Sequence, residues 1–354
     1  MPSTETGSSN ELSTGSRPVY KWPTWYPALA DYKKASTWRA VWQLTNAALP
    51  YFALWFLMIR SIHIGSSYAL TFGLAIVASA FLVRLFILFH DCVHGSLFPR
   101  KGPNTFFGTL LGLLVFTSFA DWRFSHLRHH VSYADLDARG YGDIWTLTRK
   151  EYTSAPKWKQ ISYRIYRNPV ILIGMGALFA FLLRYRLPAK KVTRKERSGI
   201  LFTNLFLLLV IVIACQTIGW KSYVLIQLPI IWIAGTAGVF LFYIQHQFRG
   251  VYWARRKDWN ALKAAMTGSS FYKLPPVLRW FSGSIGYHHI HHLGPRIPNY
   301  RLKECYDAIP ALQAKQPLSI RQSLSALRLK IWDEEQQQLT GFPSHHQVKD
   351  VGIV

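Results

Sequence analysis

Histidines are concentrated in four short stretches of this chain. Ten of its 13 histidines lie in HDCVH at 90–94, HLRHH at 126–130, QHQF at 245–248 and HHIHH at 288–292. Side chains three or four residues apart share one face of a helix, so HxxxH and HxxHH are expected to direct two and three ring nitrogens at one point. Imidazole is a ligand for iron, copper, nickel and zinc alike. The spacing therefore predicts a metal site whose ligands are histidines.

Nine of these histidines form the predicted ligand set. They are His90, His94, His126, His129, His130, His246, His288, His291 and His292. One ion cannot use nine nitrogen ligands, whereas two ions with four or five each can, and a structural zinc takes four ligands that are often thiolates. His289 is left out because the HxxHH pattern does not need it. His63 is interpreted as a hydrogen-bonded polar residue, and His345 and His346 as solvated ones.

The composition indicates that these ligands belong to a membrane protein. Half of the residues are hydrophobic and only 16% are charged, compared with about a quarter in soluble domains. Lys and Arg outnumber Asp and Glu by 41 to 17. Nucleic-acid binding is one interpretation of that excess, but the chain has no recognisable motif for it. The preferred interpretation is basic cytoplasmic loops beside anionic lipid. Cys92, Cys215 and Cys305 are scattered and predict no disulfide framework.

Four apolar stretches have the length of about 20 residues that a membrane-spanning helix needs. They cover 41–60, 67–89, 199–217 and 222–245. The shorter runs 104–119 and 169–183 are interpreted as segments that dip into the membrane without crossing it. The basic linker 184–198 is expected in the cytoplasm, and the weakly charged linkers 61–66 and 218–221 outside. This arrangement places all four histidine stretches and both termini in the cytoplasm.

The predicted fold is therefore an all-α integral membrane protein. It has four transmembrane helices in two hairpins, two short re-entrant or interfacial segments and a cytoplasmic helical cap that holds the metal site. Residues 1–18 are polar and rich in Ser, Thr and Gly, and are expected to form a disordered tail.

The histidine stretches and the segments around them resemble the membrane fatty-acid desaturase superfamily, and bacterial acyl-lipid desaturases most of all. The similar segments follow in the same order and spacing from about residue 20 to residue 335: HDCVHGSLF, LDARGYGDIWTLTRKEY, RIYRNP, FYIQHQF, GSSFYKLP, GSIGYHHIHHLGPRIPNYRL and LRLKIWDEE. GYHHIHHL is similar to the third histidine box of that family. The resemblance predicts a desaturase domain at 19–335, followed by a C-terminal tail at 336–354.

This resemblance implies a non-haem di-iron centre in which all nine predicted histidines are ligands and catalytic residues. The implied reaction uses O2 and two external electrons to introduce a cis double bond into a fatty acyl chain esterified in a membrane glycerolipid. A ferredoxin or flavodoxin type of donor and a location in the bacterial inner membrane are implied as well. The chain departs from the family pattern at Val93, Asp135, Arg249, Gly250 and Ser284, none of which is a proposed ligand.

Two other functions remain open from the sequence. A hydroxylase or carotenoid ketolase of the same superfamily would add oxygen to its substrate instead of forming a double bond. A metal transporter or sensor would need polar or charged residues within the spans, which carry almost none besides Arg84.

Two carboxylates lie in or beside the histidine boxes, Asp91 in HDCVH and Asp143 in GYGDIW. Each is predicted to accept the N–H of a metal-bound imidazole, which would fix the tautomer of that ring and raise its basicity.

Overall fold

The computed structural model describes residues 21–140, 142–189 and 192–343. Helices dominate this part of the chain. The helices of its first half are α1 (Thr37–His63), α2 (Tyr68–His94), α3 (Lys101–Leu114), α4 (Phe119–Ser132), α5 (Arg149–Thr153), α6 (Lys157–Tyr166) and α7 (Gly176–Leu178). Those of its second half are α8 (Arg194–Thr217), α9 (Trp220–His246), α10 (Ala261–Met266), α11 (Pro276–Phe281), α12 (His288–Leu293), α13 (Asn299–Ala308), α14 (Pro310–Gln313) and α15 (Ile320–Ala326).

The remaining elements are short. The 3-10 helices are Tyr26–Lys33, Arg184–Arg186 and Arg256–Asp258, and the π-helical segments are Val170–Met175 and Phe179–Leu183. The strands are β1 (Phe271–Tyr272), β2 (Pro317–Leu318), β3 (Ile331–Asp333) and β4 (Gln338–Thr340). β1 pairs with β2 in parallel, and β3 pairs with β4 in the antiparallel direction.

Long helices form where the four spans were predicted. In the described residues, α2, α8 and α9 are long and apolar enough to cross a membrane. Helix α1 has 27 residues, as many as α2, but it is not one of these three, and Gln43, Asn46 and Pro50 interrupt its apolar run. The prediction of an all-α membrane fold is confirmed, with α1 as the most polar of the predicted spans.

The two shorter apolar runs lie in sharply bent helix pairs. Helices α3 and α4 meet at 102°, and α6 meets the segment Val170–Arg186 at 69°. Most of that segment is π-helical, a geometry that appears mainly in short pieces within helices. Each pair has the geometry of a broken span or of a re-entrant loop.

Helix α2 is the central element of the fold. It packs against α1, α3 and α9, and nearly all of its second half, from Leu82 to His94, is buried. The helix ends at Gly95, whose φ of +67° is a left-handed conformation that glycine adopts without strain. HDCVH thus lies in the last turns of a buried helix, directly before its terminating glycine.

The cap packs on the same end of α2. A second buried cluster surrounds α12 and includes Ile285, Tyr287, Ile290 and Leu293. Strand β4 pairs with β3 through Ile331 and Thr340, so residues 338–340, within the predicted C-terminal tail, are part of the folded cap. Residues 1–18 and the pair His345 and His346 lie outside the described residues.

Candidate metal centre

All nine predicted ligands meet at the junction of four helices. α2 contributes His90 and His94, α4 contributes the three histidines of HLRHH, α9 ends at His246, and α12 contributes the ligands of the third box. Helices distant in sequence therefore converge on one place, as the histidine spacing predicted.

The histidines divide into two groups. The first histidine group has five members whose ligand nitrogens lie within 4.8 Å of one another: His90, His94, His126, His130 and His291. Within it, the Nε2 atom of His130 is 3.2 Å from that of His126 and 3.0 Å from that of His291. One group thus combines ligands from all three boxes.

The second histidine group has four members. His129, His246 and His292 lie within 4.8 Å of one another. His288 adjoins them, because its Nε2 atom is 3.1 Å from the Nε2 atoms of both His246 and His292. The nine predicted ligands therefore separate into five and four, which is the number that two metal ions can use.

One expectation about the boxes is wrong. HxxHH was expected to direct three imidazoles at one point, but His126 and His130 join the first group while His129 joins the second. In the third box, His288 and His292 lie in the second group and His291 in the first. Consecutive helical residues are about 100° apart around the axis, so only the i, i+4 pair of each box points one way.

The chemistry of the donor set fits metal ions. Burial, and to a lesser extent the charges of neighbouring histidines, lowers the pKa of His291 and His292 well below the usual range of histidine. These rings are therefore neutral at pH 7, which is the form that binds metals. The Nε2 atom of His94 is buried in the first group and has no hydrogen-bond partner among the described residues. A buried acceptor of this kind is costly unless it is satisfied, and a metal ion would satisfy it.

Both predicted carboxylates lie at the outer edge of the histidine groups. Asp143 Oδ1 is 2.7 Å from His129 Nδ1, a short contact typical of a charge-assisted hydrogen bond. Asp91 Oδ1 is 3.4 Å from His90 Nδ1, a much longer contact. The other oxygen of Asp91 accepts two hydrogen bonds from Asn299, at 2.7 and 2.8 Å.

The histidines left out of the ligand set lie elsewhere. His289 is fully buried but turns away from both groups, and its ring packs near Phe271 and Tyr306. Burial first, and the charge of Lys315 second, lower its pKa to about 3. His63 is exposed at the end of α1.

Two residues that contact the site were not singled out from the sequence. Trp122 stacks on the ring of His126 at a centroid distance of 4.2 Å. It lies four residues before that histidine on α4, so helical spacing was a signal that could have revealed it. Asn299 contacts Asp91, which lies 208 residues before it. No local pattern marks that pairing.

The departures from the family pattern do not disturb the ligands. Asp135 forms an ion pair with Arg256 at 2.7 Å. Val93 is buried in the core between the two histidines of the first box. Ser284 has a φ of +57° in the turn before the third box.

A cavity of about 650 Å³ connects the histidines with the apolar helices. Its walls include Leu82 and Phe86 of α2, Phe181 of the π-helical segment, and Ile231 and Gly238 of α9. Four of the nine predicted ligands also line it: His90, His126, His129 and His288. Two arginines that also line it, at positions 128 and 184, are exposed, so the cavity reaches the surface near them. A long apolar molecule can therefore lie between the membrane helices and the metal-binding groups.

Comparisons with known proteins show which family this chain belongs to. A model of the family "Fatty acid desaturase" matches residues 65–323. The "Fatty acid desaturase" of Bacillus subtilis (strain 168) is 41% identical over 314 residues, which are 89% of each chain. An "sn-2 acyl-lipid omega-3 desaturase (ferredoxin), chloroplastic" of Arabidopsis thaliana is 27% identical over 247 residues, covering 65% of this chain and 53% of its own. An "sn-1 acyl-lipid omega-3 desaturase (ferredoxin)" of Synechocystis sp. is 25% identical over 242 residues, covering 64% of this chain and 63% of its own.

The resemblance inferred from the histidine boxes is thus confirmed. The match extends over most of the chain, including the apolar helices between the boxes. It favours a desaturase over the hydroxylase or ketolase and over the metal transporter or sensor. A histidine-rich metal centre, an apolar cavity and membrane-length helices occur together in an oxidoreductase that belongs to the fatty acid desaturase family.

Proposed function

We propose that the two histidine groups each hold one iron ion, and that the protein introduces a cis double bond into acyl chains esterified in membrane glycerolipids. The observation that carries this proposal is the cavity, which joins apolar helix surfaces to four of the nine histidines. The division of the ligands into five and four supports two ions rather than one. The nine histidines are the proposed metal-ligating and catalytic residues.

The residues of the chain have two tasks in this reaction. A methylene group in an acyl chain offers neither charge nor an acidic proton, so side chains alone cannot oxidise it, and the bound iron with O2 supplies the oxidising chemistry. The histidines hold the ions at a fixed place. The apolar walls, including Phe86, Phe181 and Ile231, hold the acyl chain against that place and exclude water.

We propose an acidic external protein as the source of the two electrons, of the ferredoxin or flavodoxin type. The net charge of +24 favours association with such a carrier. Three matched relatives carry the word ferredoxin in their names. Supplying reduced ferredoxin and reduced flavodoxin separately to the purified enzyme would distinguish the two donors. If neither donor supported turnover, this part of the proposal would be contradicted.

The reaction itself is tested by expression in a host that lacks desaturases. We expect new double bonds in glycerolipids, with positions read by mass spectrometry of derivatised lipids separated by headgroup. An added hydroxyl or keto oxygen, or unchanged lipids with correctly inserted protein, would contradict the proposal.

Two glycine variants test whether the cavity holds the substrate. Gly238 lines the cavity, and a Cβ placed there meets no atom within 4 Å. Gly238→Leu therefore fills cavity space without a backbone clash, and we expect it to lower the yield of double bonds several-fold. Gly73→Leu is the matched control, because Gly73 has equal free space but is exposed on α2 and does not line the cavity. Equal yields from both variants would place the substrate elsewhere.

We further propose that the active site and both termini face the cytoplasm of a bacterial inner membrane. The basic linker 184–198 supports this orientation. Reporter fusions after Ala120 and after Pro188 should both give cytoplasmic signals, since neither bent helix pair then crosses the bilayer. A periplasmic signal after Ala120 would mean that α3 crosses the bilayer, and a periplasmic signal after Pro188 would mean that the second bent pair is a span.

A further inference from the structure

A buried polar connection joins α1, α2 and α13 behind the first histidine group. Asn299 is the first residue of α13, seven residues after the last histidine of the third box. Its side chain lies between Gln43 of α1 and Asp91 of α2, and all three residues are less than 9% exposed. Buried polar side chains are costly unless their groups are paired, so the bonds of Asn299 define what it does here.

The polar groups of Asn299 are paired with these two residues. Its Nδ2 donates to Gln43 Oε1 at 3.0 Å and to Asp91 Oδ2 at 2.8 Å. Its Oδ1 accepts from Gln43 Nε2 at 3.1 Å, and its main-chain N–H donates to Asp91 Oδ2 at 2.7 Å. Because an ionised carboxylate only accepts hydrogen bonds, Asp91 determines which way the amide of Asn299 faces.

These bonds determine which oxygen of Asp91 faces the metal ligands. Two donors from Asn299 occupy Oδ2, and Oδ1 is the oxygen that lies 3.4 Å from His90 Nδ1. A carboxylate at Nδ1 leaves the Nε2 atom of His90 for the first histidine group and limits rotation of the ring. The orientation of this ligand therefore depends on a residue that follows the third box.

The other flank of the third box is also tied to α2. The guanidinium of Arg84 donates to the carbonyl of Trp280 and lies over its ring, 3.8 Å from the centroid. Gly283, with a φ of +52°, packs so closely on Ile87 that a Cβ would lie 2.6 Å from its side chain. Helix α2 thus contacts the third-box segment both before and after its histidines. Of these contacts, the one made by Asn299 involves Asp91, which also lies beside the predicted ligand His90.

We propose that Asn299 is a positioning residue for the first histidine group, acting through Asp91 on His90 and coupling the end of the third box to the first box. This inference rests on the proposed binding of two iron ions. It assigns to Asn299 an effect on iron affinity at one group, which a purely structural asparagine would not have.

The test compares Asn299→Ala with Asn104→Ala in purified full-length enzyme. Asn104 is a matched control, because it is also 2% exposed and its amide is also bonded, at 2.7 Å to the Phe98 carbonyl. None of its hydrogen-bond partners is a histidine. Iron(II) content is measured against increasing chelator concentration, and thermal unfolding of each variant is recorded in the same detergent.

We expect both wild type and Asn104→Ala to retain two irons per chain. The iron affinities of Asn104→Ala should equal those of wild type. Asn299→Ala should keep one iron unchanged and bind the other up to about 10-fold more weakly, the lower end of the usual cost of losing an outer partner of a metal ligand, because the main-chain N–H of residue 299 still donates to Asp91. In a His291→Ala background, which removes a ligand of the first group, Asn299→Ala should leave the remaining iron unchanged. Gln43→Leu should weaken the same single iron, by less, and it serves as the second variant if Asn299→Ala does not fold.

Two results would overturn the inference while leaving the proposed function intact. One is an iron affinity of Asn299→Ala equal to that of Asn104→Ala, or of Gln43→Leu equal to wild type. The other is equal weakening of both irons, which would make Asn299 a general structural residue. A wild-type protein that binds no iron would instead overturn the proposed function, and the inference with it.

Discussion

The two histidine groups are built from the same boxes but are supported differently. The first group lies at the buried end of α2. There Asp91 is 3.4 Å from His90 and accepts a hydrogen bond from Asn299. In the second group, His129 is 2.7 Å from Asp143, which lies in an irregular segment between α4 and α5. The first group thus has a distant carboxylate fixed by helices, and the second a close carboxylate carried by a loop. Orientation of a ligand can be achieved by either route.

The largest expected effect comes from removing one ligand of each group. His291 and His292 are neighbours on α12 but belong to the first and the second group respectively. We expect His291→Ala and His292→Ala each to lower turnover by more than about 100-fold, exceeding the loss typical of an outer partner, and each to lower iron content. Metal analysis and lipid products measure this. Full activity in either variant would remove that histidine from the ligand set.

The next effect is that of the close carboxylate. Asp143→Asn keeps the size of the side chain and removes its charge, so the 2.7 Å contact with His129 loses its charge-assisted character. We expect a loss of about 10–100-fold in iron affinity or turnover, confined to one of the two irons. Iron titration of the variant measures it, and unchanged affinity at both sites would make Asp143 a loop-stabilising residue only.

Asp91→Asn should have a smaller effect than Asp143→Asn. The new amide oxygen can still accept both hydrogen bonds from Asn299, so the helix contact survives, but the contact with His90 is already long at 3.4 Å. We expect a loss near the lower end of the range, about 10-fold. Turnover and iron content of the two variants are compared side by side. A larger loss from Asp91→Asn would reverse the comparison between the two groups.

The smallest effect on the metal site is expected for His289, which faces neither group. His289→Asn should retain both irons and keep turnover close to that of wild type. Iron content and lipid products check this expectation. Loss of iron in this variant would mean that the third box contributes four ligands rather than three.

The same variant should change how stability depends on pH. The pKa of His289 is about 3 in the folded protein, below the value of about 6.5 expected when unfolded. Below about pH 6.5 the unfolded state therefore binds more protons at this residue than the folded state does. Protonation of His289 in the unfolded state thus lowers the free energy of unfolding as pH falls below about 6.5. Thermal midpoints of His289→Asn between pH 7.5 and pH 5 should therefore fall less steeply than those of wild type. Parallel curves would contradict this assignment.

Local spacing in the sequence determined which residues could bind metal and on what elements they lie. HxxxH and HxxHH are helical patterns, and the apolar stretches have the length of spans, so the all-α membrane fold and a set of candidate ligand residues could be predicted before any contact was known. The whole-chain resemblance added the family. The order of the long helices followed from the same local signals.

Only the tertiary structure decided how the nine histidines divide. His129 and His130 are adjacent in sequence but point to different groups, because neighbouring helical residues diverge by about 100°. The group to which each of these histidines belongs depends on where α9 and α12 approach α4. Sequence periodicity does not predict where those helices meet. The same holds for Asn299 and Asp91, which meet across 208 residues. Short sequence patterns predict local geometry, whereas the contacts between helices distant in sequence depend on the packing of the whole chain.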